Sequence, residues 1–118
     1  MQYLLMAYTS ESLWPELPPS EKEQRFAAAY GPFVEALQKG GVLHGMNRLR
    51  PTAEGATVRV SNGGQQVLDG PYADSKEQLG GYFLIDVPDL DAALSWASRC
   101  PAASHGAVEV RPIWSMQR

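Results

Sequence analysis

Two short runs constrain this chain more than any other feature. Tyr3 to Tyr8 and Gly81 to Val87 are apolar at nearly every position, not at alternate ones. A strand with one wet face alternates polar and apolar residues. Runs of this length without alternation read as strands covered on both faces. A chain of 118 residues must therefore supply a layer for each side of these strands, or borrow one. That length fits a single domain spanning residues 1–118 and leaves little room for a second.

The segments between the two runs supply those layers. Ser10 to Pro19 holds three prolines and the apolar residues Leu13 and Trp14, and reads as a loop. Ser20 and Glu23 have capping-box spacing, and Phe26, Tyr30, Phe33, Val34 and Leu37 follow at helical intervals. Gly40-Gly41 is the expected left-handed stop, and Pro32 is expected to kink or break the helix. Val42 to Leu49 reads as a strand. Thr57–Ser61 and Gln65–Leu68 flank Asn62-Gly63-Gly64, whose residues tolerate the positive φ of a tight hairpin. Asp69-Gly70-Pro71 ends that hairpin, and Asp74 to Gln78 is expected to form one helical turn. Pro88-Asp89 opens a second helix with Leu90, Ala93, Leu94 and Ala97 on one face, stopped by Pro101. Ala107 to Ile113 alternates as a half-buried last strand.

The order is strand, helix, strand, hairpin, strand, helix, strand. With the hairpin set aside this is β-α-β-β-α-β, the ferredoxin-like α+β arrangement. Its helices cover one sheet face only. A second copy of the chain is the simplest cover for the other, giving a homodimer with sheets face to face and the hairpin reaching across.

Composition excludes several classes. The net charge is −3 and the charges form no runs, so nucleic acid and anionic membrane surfaces are not expected partners. Cys100 is the only cysteine, which rules out an intramolecular disulfide and a cysteine-built zinc site. It is expected to be a buried structural thiol. The opening MQYLLMAY has no basic leader and is too short to span a bilayer, so a cytoplasmic location is the default expectation.

The segment Asp69-Gly70-Pro71-Tyr72-Ala73-Asp74-Ser75-Lys76-Glu77-Gln78-Leu79-Gly80-Gly81 resembles the signature of the DGPF branch of YCII-related proteins, with Tyr72 where Phe is usual. The resemblance extends through Tyr82–Pro88 and the helix after it to Val108–Pro112. It implies a dimeric α+β barrel of ferredoxin-like protomers. The wider group implies a His–Asp catalytic pair with its histidine on the first helix. Here that position falls close to Tyr30 and the helix holds no histidine, which argues against such a pair. Association of some DGPF proteins with sigma factors implies a regulatory role.

Five residues are candidates for a site. Asp69 is either a carboxylate at a cleft mouth or the acceptor of an Asx turn before Gly70-Pro71. Lys76 either neutralises an anionic ligand or is simply solvated, and Glu77 is expected to cap beside Asp74. His44 and Arg48 share a strand face with Met46 by the period of two, and together could bind a carboxylate or phosphate. Tyr30 would face them from the first helix. His105 is expected to be solvated in a loop. Gly80-Gly81 lacks the spacing of a phosphate-binding loop and reads as a bulge or a close backbone approach. Trp14, Trp96 and Trp114 are expected in the core or a dimer interface, with Trp14 also placed to line a cleft.

Two functions remain open on these residues. In the first, a small polar or anionic metabolite is bound between the sheet and the first helix and transformed without a cofactor or metal. Asp69 or His44 would be the base, and Lys76 or Arg48 the electrostatic stabiliser. In the second, the chain is a non-catalytic interaction or regulatory module, for example one associated with a sigma factor. An exposed apolar patch would favour the second and a pocket with converging charges the first.

Overall fold

The computed structural model describes residues 1–12, 17–71 and 76–115. Its elements are β1 (Gln2–Thr9), α1 (Pro19–Lys39), β2 (Leu43–Arg48), a 3-10 turn (Thr52–Glu54), β3 (Ala56–Ser61), β4 (Gly64–Asp69), β5 (Gln78–Asp86), α2 (Leu90–Arg99), α3 (Ala102–His105) and β6 (Ala107–Pro112). Four strands form an antiparallel sheet in the order β2-β5-β1-β6, and β3 pairs only with β4. This is the ferredoxin-like α+β arrangement with an inserted hairpin.

The two apolar runs are the two central strands. Tyr3, Leu5 and Ala7 of β1 and Phe83 and Ile85 of β5 point into one core with Phe33 and Leu37 of α1 and Ala93 and Ala97 of α2. Cys100 is buried there, as expected of a structural thiol. Leu4 and Met6 pair with Leu84 and Tyr82 on the opposite face, outside that core. The body is a slab only 19 Å thick.

Several local signals act as their chemistry demands. Asn62 and Gly63 both have positive φ, at 51° and 77°, so β3 and β4 are joined by a two-residue turn that matches strand twist. The amides of Gly41 and Val42 donate to the carbonyls of Gln38 and Leu37, closing α1 with paired bonds around left-handed Gly41. Asp89 caps α2 by accepting the amide of Ala92 at 2.9 Å.

Other expectations are corrected. α1 starts at Pro19 and no side chain caps it; the carbonyl of Pro18 takes the first amides. Proline at the first helical position has its φ preset for the helix, which puts Ser20 already inside it, so the Ser20–Glu23 box has no role. The helix runs through Pro32 without a break. Gln78 begins β5 instead of ending a helical turn, while Tyr72 to Ser75, with the expected cap Asp74, lie outside the described residues. Leu13 and Trp14 also lie outside them. His105 is exposed, as expected, but ends the short helix α3 instead of lying in a loop. Trp96 packs on the core, whereas Trp114 is 88% exposed.

Gly80 and Gly81 have separate duties. Ala7 pairs with Gly81 and Tyr8 with Leu79, which leaves Gly80 as the extra residue of a bulge. A Cβ on Gly81 would stand 2.8 Å from the carbonyl oxygen of Asn47, so a side chain there would push β2 off the sheet. Gly81→Ala is therefore expected to destabilise by roughly 1–3 kcal/mol through overpacking. Urea unfolding of the variant checks this, and a neutral Gly81→Ala would contradict the close approach.

Candidate functional site

α1 rests on the sheet by only part of its length. Its buried residues, Phe33 and Leu37, belong to the C-terminal half. The half before Gly31 holds Phe26 and Tyr30, both partly exposed. Between this half-helix, β2 and β5 lies a cavity of about 580 Å³. Phe26, Tyr30, Val34, Met46 and Phe83 form its apolar wall, and Lys22, Arg48 and His105 add polar residues. A volume of several hundred Å³ with mostly apolar walls and a few polar groups is typical of small-molecule sites.

The aromatic wall is ordered by stacking. The rings of Phe26 and Tyr30 lie 4.5 Å apart at 21°, and Tyr30 lies 6.2 Å from Phe83 at 14°. Phe33 meets Phe83 edge-on at 5.1 Å. Phe26 and Tyr30 are one helical turn apart, which places them side by side along the cavity.

Arg48 is the central cation. It lies opposite Gly81 in the β2–β5 register, and Met46 lies opposite Phe83, so both point toward α1. The guanidinium sits 3.8 Å over the Phe26 ring, and one of its nitrogens donates to both oxygens of Glu23 at 2.8 and 3.0 Å. The glutamate at the capping-box position is thus taken by a strand residue. The pair is open to water, with side chains 46% and 65% exposed, so it contributes at most about 1 kcal/mol. Glu11, a carboxylate lining the cavity, is committed elsewhere. Its two oxygens accept the amide and hydroxyl of Thr52 at 2.8 and 2.9 Å.

Tyr30 has its hydroxyl turned into the protein. Burial, then the neighbouring Cys100 thiol, pushes its pKa up to about 12, against the pull of the Ala102 amide and the Arg48 charge. The Cys100 thiol and the Ala102 amide are the neighbours of its hydroxyl. The Cys100 thiol is itself pushed up, chiefly by burial. Both groups stay protonated at neutral pH. Tyr30 therefore offers the cavity a ring face and no base.

The five candidates separate. Tyr30 and Arg48 line the cavity, Tyr30 from α1 and Arg48 from β2. His44 does not, because Leu43 pairs with Ile85 and Gly45 with Leu84, which makes His44 the extra residue of a second bulge. The bulge breaks the period of two on which a shared face of His44 and Arg48 depended. His44 instead lies 3.9 Å from Asp86, whose carboxylate the amino terminus holds below the usual range. Asp69 is exposed at the end of β4, opposite Ala56, and does not line the cavity. Lys76 is exposed ahead of β5 and does not line it either. Lys22, Phe26 and His105 are not among the five candidates and do line it. For Phe26 the signal is present in the helical stripe, one turn before Tyr30. For His105 there is none, because a four-residue helix leaves no periodicity. Among the described residues no three His, Cys, Asp or Glu side chains cluster as metal ligands would, and no helix is long and apolar enough to cross a membrane.

The state of Tyr30 is directly measurable. A phenol whose folded pKa is raised contributes stability that holds below its unfolded value near 10 and is lost as pH rises through about 12. Ultraviolet titration should show one of the five tyrosines ionising last, near pH 12 or together with unfolding. Tyr30→Phe should lack that component; an unchanged curve would mean the hydroxyl is not held.

Comparison with known proteins agrees with the fold. A structure of 5-chloro-2-hydroxyhydroquinone dehydrochlorinase from Burkholderia phenoliruptrix, in complex with 2,5-dihydroxybenzoquinone, superposes with a TM-score of 0.51 and 16% identity. The match covers 99% of this chain and 96% of that one. An uncharacterised protein of Rhizobium meliloti is 39% identical over 118 aligned positions, 96% of this chain and 92% of its own. The model of the YCII-related domain matches residues 1–117, and the chain belongs to the YCII-related family.

Proposed function

We propose that this chain binds a small, planar, negatively charged molecule in the cavity under the first half of α1 and transforms it by acid–base chemistry without a cofactor. The observation that carries the reading is the convergence of Arg48 and Lys22 with the Phe26, Tyr30 and Phe83 rings on one cavity. Flat ring faces select flat ligands by stacking, and the guanidinium supplies the charge. The Burkholderia enzyme that shares the fold was solved with 2,5-dihydroxybenzoquinone, a ligand of this shape. His105, and not His44 or Asp69, is then the base. Its imidazole lines the cavity, and imidazole is the side chain that exchanges protons near neutral pH. A proton taken from a ring hydroxyl would leave an oxyanion for Arg48 to hold.

The working unit in this reading is a homodimer of single-domain chains in the cytoplasm. The outer sheet face carries Leu4, Met6, Tyr82 and Leu84, and the hairpin exposes Val58, Val60, Val67 and Leu68. Those valines also favour the alternative, an interaction module with a protein partner. A second copy would account for both apolar surfaces at once.

Titration with 2,5-dihydroxybenzoquinone, followed by amide NMR, tests the site. Shifts should centre on Phe26, Tyr30, Met46, Arg48 and Phe83, and His105→Asn should leave binding in place while abolishing any turnover. Shifts confined to the hairpin would sink the cavity reading. Light scattering at micromolar concentration should give about twice the 12.9 kDa chain mass, and a stable monomer would remove the dimer.

A further inference from the structure

Arg48 already holds an anion, and that anion belongs to the protein. Glu23 presents both carboxylate oxygens to one guanidinium nitrogen, at 2.8 and 3.0 Å. Glu23 itself is not part of the cavity wall, whereas Arg48 and Lys22 are. The glutamate therefore meets the cation from the rim. Its side chain is 65% exposed, so it can leave Arg48 for water without any movement of the helix. Phe26 holds the guanidinium from its other side without neutralising it, since a ring face binds a cation and leaves its N–H groups in plane.

We propose that Glu23 is an internal counter-ion that the ligand's own carboxylate or phenolate displaces from Arg48. This deepens the proposed function and rests on it. The exchange makes Glu23 a specificity-determining residue. A neutral molecule of the same shape cannot replace Glu23, and a strongly solvated exposed pair is weak enough for an anion stacked on the aromatic wall to outcompete it. Glu11 is no competitor, because the Thr52 amide and hydroxyl occupy its oxygens. Glu21, two residues before Glu23, pairs with Arg25 at 3.4 Å and offers a matched control that removes the same charge from the same helix turn.

The test compares benzoate with benzamide by calorimetry on the full chain. Glu23→Gln should tighten benzoate roughly two- to fivefold, the equilibrium equivalent of an exposed ion pair. Glu21→Gln should change it by less than about twofold, and neither variant should alter benzamide. Arg48→Met should weaken benzoate about tenfold or more. A crystal of the benzoate complex should show Glu23 withdrawn from Arg48. Equal benzoate affinity in wild type and Glu23→Gln would overturn the exchange and leave the cavity reading intact. The exchange is overturned equally if Glu21→Gln matches Glu23→Gln, which would make the effect one of overall charge. Failure of both benzoate and benzamide to bind any of the proteins would overturn the cavity reading and the exchange together.

Discussion

β1 is hydrogen-bonded along both edges, to β5 on one side and β6 on the other, and its inward residues Tyr3, Leu5 and Ala7 form the floor on which both long helices rest. Leu5 is completely buried, as are Leu37 above it and Ile85 beside it. A core this small tolerates little rearrangement, because each buried side chain is a large share of the total. α1 is fixed to that floor by Phe33 and Leu37, four residues apart and so on one face. The remaining half of the helix continues in the direction those two residues set, and passes over the β2 end of the sheet with Phe26 and Tyr30 only partly buried. The cavity is the space left under it. Its existence follows from where the buried stripe of α1 stops.

What enters that space depends on two strand irregularities. The bulge at Gly80 and the bare backbone of Gly81 let β2 approach β5 closely, with the Asn47 carbonyl against the Gly81 Cα. The bulge at His44 then shifts the face of β2 by one residue, so that Met46 and Arg48 turn inward and His44 turns to Asp86. Bulges re-aim side chains in this way, and sites gather beside them. Without the second bulge the inward set would have been the other half of the strand.

That contrast explains what is legible in the residues. The turn at Asn62-Gly63, the stop at Gly41 and the cap at Asp89 are readable because each solves a local backbone problem, and no distant contact competes. The ferredoxin-like order is readable from the spacing of apolar runs. The capping box fails because the helix already starts at Pro19, and because Arg48, twenty-five positions away, offers Glu23 a charged partner. His44 fails because a bulge leaves no mark in composition. His105 reads as loop because α3 is a single turn, too short for a period. Tyr30 and Arg48 stand out in separate elements, and their meeting at the cavity requires the sheet register that no local signal encodes.

The charge of the chain as a whole points the other way from the charge of the cavity. A net −3 is a property of the entire surface, which a long polyanion would sample. A small anion samples only its surroundings, since charges farther off than about 8–10 Å are screened at physiological salt. On the cavity wall stand the cations Lys22 and Arg48 and the carboxylate Glu11, which keeps its charge while Thr52 engages both its oxygens, and Glu23 meets Arg48 from outside. Burying a ligand anion among the rings of Phe26, Tyr30 and Phe83 lowers the local dielectric and raises what Arg48 contributes above its value to an exposed glutamate. The same residue can thus hold Glu23 weakly when the cavity is empty and an anion more firmly when it is filled, with no change in its own charge.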